Sequence, residues 1–293
     1  MAEPGEEQDE AALAALRPAP WRRLWDDGST YLLTRSAVLR LLGLVYFVAF
    51  VSALRQAPAL IGEHGLVPMQ RHLALAVARA SGSRALAMLR APTLFLLDSS
   101  DAALTIACGA GAILALVVMA GVTNAIVMLA LWALQLSLLH AGQIFWGYGW
   151  ELLLVECGAL AALLCPLRGL RPFRSPPPPL VAIWLLRFLL FRVMLGAGLI
   201  KWRGDPCWRD LTCLVFHYET QPIPSPGAWL LHQMPAWVHA AGVLFNHLME
   251  LVVPPLVFGP KAVRRVAGGL VVLFQLLLVA SGNLSFLNWL TIV

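Results

Sequence analysis

The run LVAIWLLRFLLFRVMLGAGLI at residues 180–200 is interrupted by only two charged side chains, Arg187 and Arg192. A helix needs roughly 20 mainly apolar residues to cross the hydrocarbon core of a bilayer, and this run supplies them. The rest of the chain has the same character, because 59% of its 293 residues are hydrophobic and only 13% are charged. Soluble domains carry about 25% charged residues. The sequence therefore excludes an ordinary soluble protein and predicts an all-α, polytopic transmembrane helix bundle.

Seven apolar stretches are candidate membrane spans. We expect five to eight membrane segments, because the fourth stretch is short and Pro254-Pro255 interrupts the sixth. Residues 284–293 form an apolar stub that is too short to cross, and residues 85–97, which contain Pro92, predict a surface or re-entrant helix. The seven candidates are residues 36–54, 102–120, 122–140, 151–165, 180–200, 237–258 and 266–280.

Basic residues in two loops predict the orientation of the bundle. One group follows the fourth span and the other follows the sixth, and cytosolic loops are enriched in Lys and Arg. If both loops are cytosolic, residues 1–35 form a cytosolic polar tail, and the transmembrane domain at 36–293 has lumenal loops at 55–101 and 201–236. Positive charge placed beside the spans indicates topology and gives no sign of a nucleic-acid partner. The two groups are Arg168, Arg171 and Arg174, and Lys261, Arg264 and Arg265.

The loop after the fifth span is unusually rich in aromatic, charged and proline residues, and reads WRGDPCWRDLTCLVFHYETQPIPSP. Its prolines fix an extended backbone, and its Trp and Tyr rings suit the headgroup level of a bilayer. Cys207 and Cys213 either join in a disulfide or remain free thiols. A third reading adds His217 as a metal ligand, but the spacing matches no common zinc pattern. We therefore predict no metal site.

Polar side chains inside the spans are the other informative feature. A charge in the hydrocarbon costs about 3 kcal/mol on insertion scales, so such groups usually face the bundle interior and pair. Glu156 or Glu250 against Arg187 or Arg192 is the expected pairing. Joining helices to one another and lining a functional cavity both remain open as roles. The residues are Glu151, Glu156, Arg187, Arg192, Lys201, Asn246 and Glu250.

Common catalytic and cofactor motifs are missing from the chain. The sequence contains no phosphate-binding glycine loop, no HExxH and no G-x-S-x-G motif. We predict no cofactor and no enzymatic activity, and we expect the lipid bilayer to be the first partner of the chain.

Several segments together resemble the lipase maturation factors. The loop segment GDPCWRDLTCLVFHYETQPIPSP is preceded by FRVMLGAGLIK and followed by SGNLSFLNWLTIV, while VYFVAF, LIGEHGLVP and WELLLVECG add to the likeness. The resemblance implies a multi-pass protein of the endoplasmic reticulum membrane, or of the inner membrane if the source is bacterial. It implies a role in the folding and dimer assembly of secreted lipases, lipoprotein lipase above all. Family chains continue into a further domain, so we expect a truncated form or fragment.

The resemblance directs attention to the loop as the surface that serves a lipase client, by contact or by shaping the loop. A second, more distant likeness supplies the alternative. The segment AGLIK, followed by Trp208, is similar to the membrane module of vitamin K-dependent carboxylase, and Lys201 matches the lysine that acts there as a base. The candidate client residues are Trp208, Arg209, Asp210, His217, Tyr218 and Glu219.

Overall fold

The fold is an all-α bundle, as the sequence predicts, in a computed structural model that describes residues 30–167 and 169–293. Nearly all of the predicted acidic tail, and Arg168 of the first basic loop, lie outside these ranges. The helices before the fifth span are α1 (Leu32–Ile61), α2 (Met69–Arg79), α3 (Arg84–Arg90), α4 (Asp101–Met119), α5 (Ala125–Ala141) and α6 (Gly149–Leu164). The others are α7 (Leu180–Arg203), α8 (Cys213–His217), α9 (Pro226–His232), α10 (Ala236–His247), α11 (Lys261–Ser281) and α12 (Leu287–Ile292).

Five helical segments of the described chain are long and apolar enough to cross a membrane: α1, α4, α7, α11 and the segment 236–258 that begins with α10. Helices α5 and α6 are shorter, and they run the length of the bundle between these spans. Each of the seven predicted spans overlaps one of these segments. The interruption expected at Pro254-Pro255 is present, because α10 passes into a π-helix at Leu248–Val252 and a 3₁₀ helix at Pro254–Phe258.

The loops alternate between the two ends of the bundle. At the first end, the Arg35 guanidinium donates to the carbonyls of Pro176 and Ser175 at 2.7 and 3.1 Å, so the start of α1 meets the linker before α7. At the second end, Gln143 donates to the Val67 carbonyl at 3.0 Å, so the loop after α5 meets the loop after α1. Arg171 and Arg174 of the first basic group and the basic residues that begin α11 lie at the first end, and residues 204–235 lie at the second.

Local sequence signals set the helix ends. The Asn124 side chain caps α5 by accepting from the Val127 amide at 3.0 Å, and Ser225 caps α9 in the same way through the Ala228 amide. Gly121, at φ +82°, makes the tight turn between α4 and α5. These signals explain why two apolar runs separated by so few residues form a helical hairpin rather than one long helix.

One predicted detail differs in the structure. The surface or re-entrant helix expected at residues 85–97 is broken, because the chain leaves α3 at Ala91 before Pro92 and then forms only a 3₁₀ turn at Leu94–Leu96. The apolar stub at 284–293 contains α12, which packs against α11 and α6 and buries Asn288 and Leu290. The Asn288 amide donates to the Gln275 carbonyl, which satisfies a polar group inside the bundle.

Candidate functional site

The candidate site lies where α7 ends, at the second end of the bundle, and its centre is a buried ion pair. The Lys201 ammonium lies 2.5 Å from Glu250 Oε1, and it donates to Asn246 Oδ1 at 3.2 Å. The Asn246 amide in turn donates to Glu250 Oε2 at 2.9 Å. The Glu250 side chain is only 4% exposed, so this closed network supplies the partners that a buried carboxylate requires.

The backbone around Glu250 is shaped to admit this pair. Glu250 lies in the π-helix that follows α10, and single-turn π-helices frequently occur at functional sites. Gly198 of α7 packs against this turn so closely that a Cβ atom there would lie 2.9 Å from Glu250 Cβ and 2.6 Å from Leu251 Cδ2. The absence of a side chain at Gly198 therefore allows α7 to approach the π-helix, which brings Lys201 within reach of Glu250.

The loop is attached to the ion pair through Trp208. The Lys201 ammonium lies 5.2 Å from the centre of the Trp208 ring, within the range of a cation–π interaction. The Trp208 carbonyl lies 3.0 Å from His247 Nε2, and the two rings meet edge to face. Trp208 is therefore a half-buried contact between the loop and the spans rather than a freely exposed aromatic side chain.

A short covalent ring holds the loop beside Trp208. Cys207 and Cys213 are joined in a disulfide, with their Cα atoms 4.7 Å apart. Asp205 Oδ1 accepts from the Cys207 amide at 2.9 Å and fixes the turn that enters the ring. Asp205 and the two cysteines form the one group of possible metal ligands within the described residues, and His217 is not part of it. Sulfur atoms in a disulfide are not thiolates, so this arrangement gives no support to a metal site.

The remaining predicted loop residues divide into two sets. Tyr218 is half-buried, and its ring lies 5.7 Å from that of His239 on α10. Arg209, Asp210, His217 and Glu219 are exposed. Desolvation, and then the nearby Lys201 ammonium, lower the pKa of His217 below its ordinary value, so the imidazole is neutral at pH 7. The outward surface of the loop is therefore a set of polar side chains, and Trp208 and Tyr218 support it from the side of the bundle.

The predicted intramembrane polar residues do not form one cluster. Glu151 is buried and accepts from the Gln135 amide at 2.6 Å, a partner that the sequence reading did not identify. Arg187 donates to the Tyr31 hydroxyl at 3.1 Å and lies over the Trp184 ring, beside a cavity of about 350 Å³. Glu156 pairs with Arg192, one of the expected combinations.

Glu250, by contrast, pairs with Lys201 and with neither arginine. Of the alternatives expected from the sequence, only the pairing of Glu250 with an arginine is wrong, because Glu250 and the arginines lie at different depths in the bundle. Arg187 and Arg192 precede Gly198 on α7 by eleven and six residues, whereas Glu250 packs beside Gly198 itself. Asn246 lies four residues before Glu250 on the same helix face and completes the network. This spacing is the sequence signal that could have indicated a polar network at Glu250.

The comparisons with known proteins agree with this architecture. A family model described as the lipase maturation factor transmembrane domain matches residues 33–293. The chain is 48% identical to lipase maturation factor 1 of Bos taurus over 94% of this chain and 50% of that protein. It is 35% identical to lipase maturation factor 2 of Homo sapiens over 89% of this chain and 39% of that protein. No solved structure matches the chain significantly.

The chain spans about half the length of the lipase maturation factor 1 relatives that it matches, and less of the lipase maturation factor 2 relatives. The family match covers the whole helical bundle, including the buried ion pair, the disulfide loop and α12. This multi-pass membrane chain therefore belongs to the lipase maturation factor family.

Proposed function

We propose that this chain is the membrane part of a factor that assists the folding and assembly of secreted lipases, lipoprotein lipase first among them, in the endoplasmic reticulum. The observation that carries the proposal is its membership of a family whose relatives are named for lipase maturation. In this proposal the bundle anchors a rigid surface beside the membrane, and a folding lipase contacts that surface. No cofactor takes part.

The second end of the bundle faces the lumen in this proposal, and two independent features support that orientation. The Cys207–Cys213 disulfide is at this end, and disulfides persist in oxidising compartments such as the lumen. Arg171 and Arg174, which follow α6, and the basic residues at the start of α11 are at the opposite end, where the positive-inside tendency puts the cytosol.

The proposed client surface consists of the exposed part of the loop. Arg209, Asp210, His217 and Glu219 contact the lipase, while Trp208 and Tyr218 hold the loop in shape from below. Exposed apolar side chains, Phe216 at 55% and Trp229 at 68%, lie in the same region and were not singled out from the sequence. A mixed polar and aromatic surface of this kind is typical of protein interfaces.

A catalytic role for Lys201 is the alternative, and the geometry disfavours it. A general base must be neutral to accept a proton, but a carboxylate 2.5 Å away stabilises the charged ammonium. The Asn246 oxygen accepts from the same ammonium and stabilises it further. We therefore propose that Lys201 is a positioning residue and that the chain is not an enzyme.

Secretion of active lipase tests the proposal. A lipase is expressed in cells that lack their own maturation factor, together with this chain or with a longer relative carrying the same substitutions. Combined Arg209→Ala, Asp210→Ala and Glu219→Ala should reduce secreted activity at unchanged factor level, because all three side chains are exposed. The exposed Arg265→Ala at the other end is the control. Equal rescue by both variants would contradict a client-facing loop.

A further inference from the structure

The ion pair between Glu156 and Arg192 differs in its exposure from the buried acidic groups Glu151 and Glu250. It joins α6 to α7, and its side chains remain 41% and 52% exposed on the outer surface. Exposed apolar residues flank it, with Leu152 on α6 at 51% and Phe188 on α7 at 52%. A surface that is otherwise suited to lipid therefore carries two charged groups.

The depth of this pair follows from two tryptophans on the same helix. Trp184 and Trp202 are 44% and 50% exposed near the two ends of α7, where tryptophan marks the membrane interfaces. They are separated by about 27 Å at the α-helical rise, close to the roughly 30 Å of a hydrocarbon core. Arg192 lies about 12 Å from the level of Trp184 and about 15 Å from that of Trp202. The pair is thus near the centre of the bilayer.

Charged groups at that depth normally face a bundle interior, because lipid chains offer them no hydrogen bonds. Interfaces between membrane helices also favour small residues that let backbones approach. Gly196, one turn after Arg192, has open space where a Cβ would lie, and Ala159, one turn after Glu156, is only partly covered. The features around the pair match a helix interface that residues 30–167 and 169–293 leave uncovered.

We propose that this face, made by Leu152, Glu156, Phe188 and Arg192, binds a second copy of the chain within the membrane. One positive and one negative group side by side at equal depth are self-complementary across a two-fold axis along the membrane normal. In the dimer, Arg192 of each copy faces Glu156 of the other, and the four charges are enclosed between two bundles. A different membrane protein would need its own matched pair of charges at this depth.

Cysteine cross-linking in native membranes tests the interface. Phe188→Cys should give a cross-linked product of twice the chain mass, and Leu244→Cys, at 56% exposure on the outer face of α10, should not. The unsubstituted chain controls for its own cysteines. Phe188→Cys giving no more double-mass product than Leu244→Cys, or a product with another mass, would overturn the proposal.

A charge exchange separates pairing between copies from simple misfolding. Copies carrying Glu156→Arg hold two positive charges at the face, and copies carrying Arg192→Glu hold two negative charges. Each variant alone should show at least five-fold less self-association in pull-downs between two tags. Co-expression of the two should restore association to near the unsubstituted level. Failure of the mixture to restore it, while both variants remain in the membrane, would overturn reciprocal pairing.

Discussion

Two ion pairs of the bundle have the same chemistry and opposite surroundings. Lys201–Glu250 lies inside, with Glu250 4% exposed and Asn246 completing the network, whereas both members of Glu156–Arg192 face outward. The inner pair acts within the chain, because it joins α7 to the π-helix and supports Trp208. Within the part of the chain that the structure describes, no helix or ring covers the exposed side of the outer pair. The roles of the two pairs therefore differ because the inner pair is enclosed within the chain and the outer pair lies on its surface.

Removing one member of the inner pair should have the largest effect. Glu250→Gln leaves the Lys201 ammonium buried without a countercharge, which typically lowers the free energy of unfolding by about 3 kcal/mol or more. Glu156→Gln should lower it less, by about 1 kcal/mol, because the amide that replaces the carboxylate still accepts a hydrogen bond from the half-exposed Arg192. Thermal unfolding in a mild detergent measures both. Equal losses would contradict the difference between the pairs.

The second-largest effect should come from removing the Trp208 ring, which lies over Lys201 of the inner pair. Trp208→Ala deletes the cation–π contact with Lys201 and the packing on His247, and we expect a loss of about 2 kcal/mol. Because the disulfide still closes the ring and Tyr218 still packs against His239 on α10, the loop should loosen without separating from the bundle, and proteases should cleave near residues 209–212 more rapidly. Trp229→Ala, which removes an exposed ring, is the matched control. Unchanged cleavage in Trp208→Ala would show that the loop does not depend on the pair.

The close approach of α7 to the π-helix can be tested with two glycines on one helix. Gly198→Ala should cost about 1 kcal/mol, because its methyl group displaces Glu250 and Leu251. Gly196→Ala meets nothing within 4 Å and should stabilise the helix by a fraction of that amount, since alanine favours helix over glycine. Melting temperatures of the two variants should therefore move in opposite directions. A shift in the same direction would contradict the tight contact at Gly198.

The acid response of His217 should be the smallest effect. Its folded pKa is lowered, so the unfolded chain binds more protons, and its contribution to stability is full above the ordinary histidine pKa of about 6.5. That contribution is lost as the pH falls through the folded pKa. Between pH 7.5 and 5.5, the unsubstituted chain should lose slightly more thermal stability than His217→Asn. An identical pH dependence would show that neither desolvation nor the Lys201 ammonium lowers the pKa of His217.

The helices were predictable from sequence, whereas most partners of the polar residues were not. Apolar runs bounded by Asn124, Gly121 or Pro92 determine where helices begin and end, because these signals act locally. The pairing of Lys201 with Glu250 depends on a helix crossing at Gly198 and on a π-helical turn, and neither has a local signal. The half-buried position of Trp208 follows from that crossing. The sequence could therefore identify Trp208 as a candidate residue but could not predict how its side chain is oriented.

If the inner pair positions the loop and does no chemistry, a pair without charges should still allow the factor to rescue lipase secretion. Lys201→Met combined with Glu250→Gln removes both charges and keeps an oxygen that can accept from the Asn246 amide. Replacing both members of a buried pair is often nearly neutral for stability. Secreted lipase activity should then stay within about two-fold of the activity obtained with the unsubstituted factor at equal protein level. Abolished rescue, with the loop still protected from protease, would contradict it and favour Lys201 as a catalytic base.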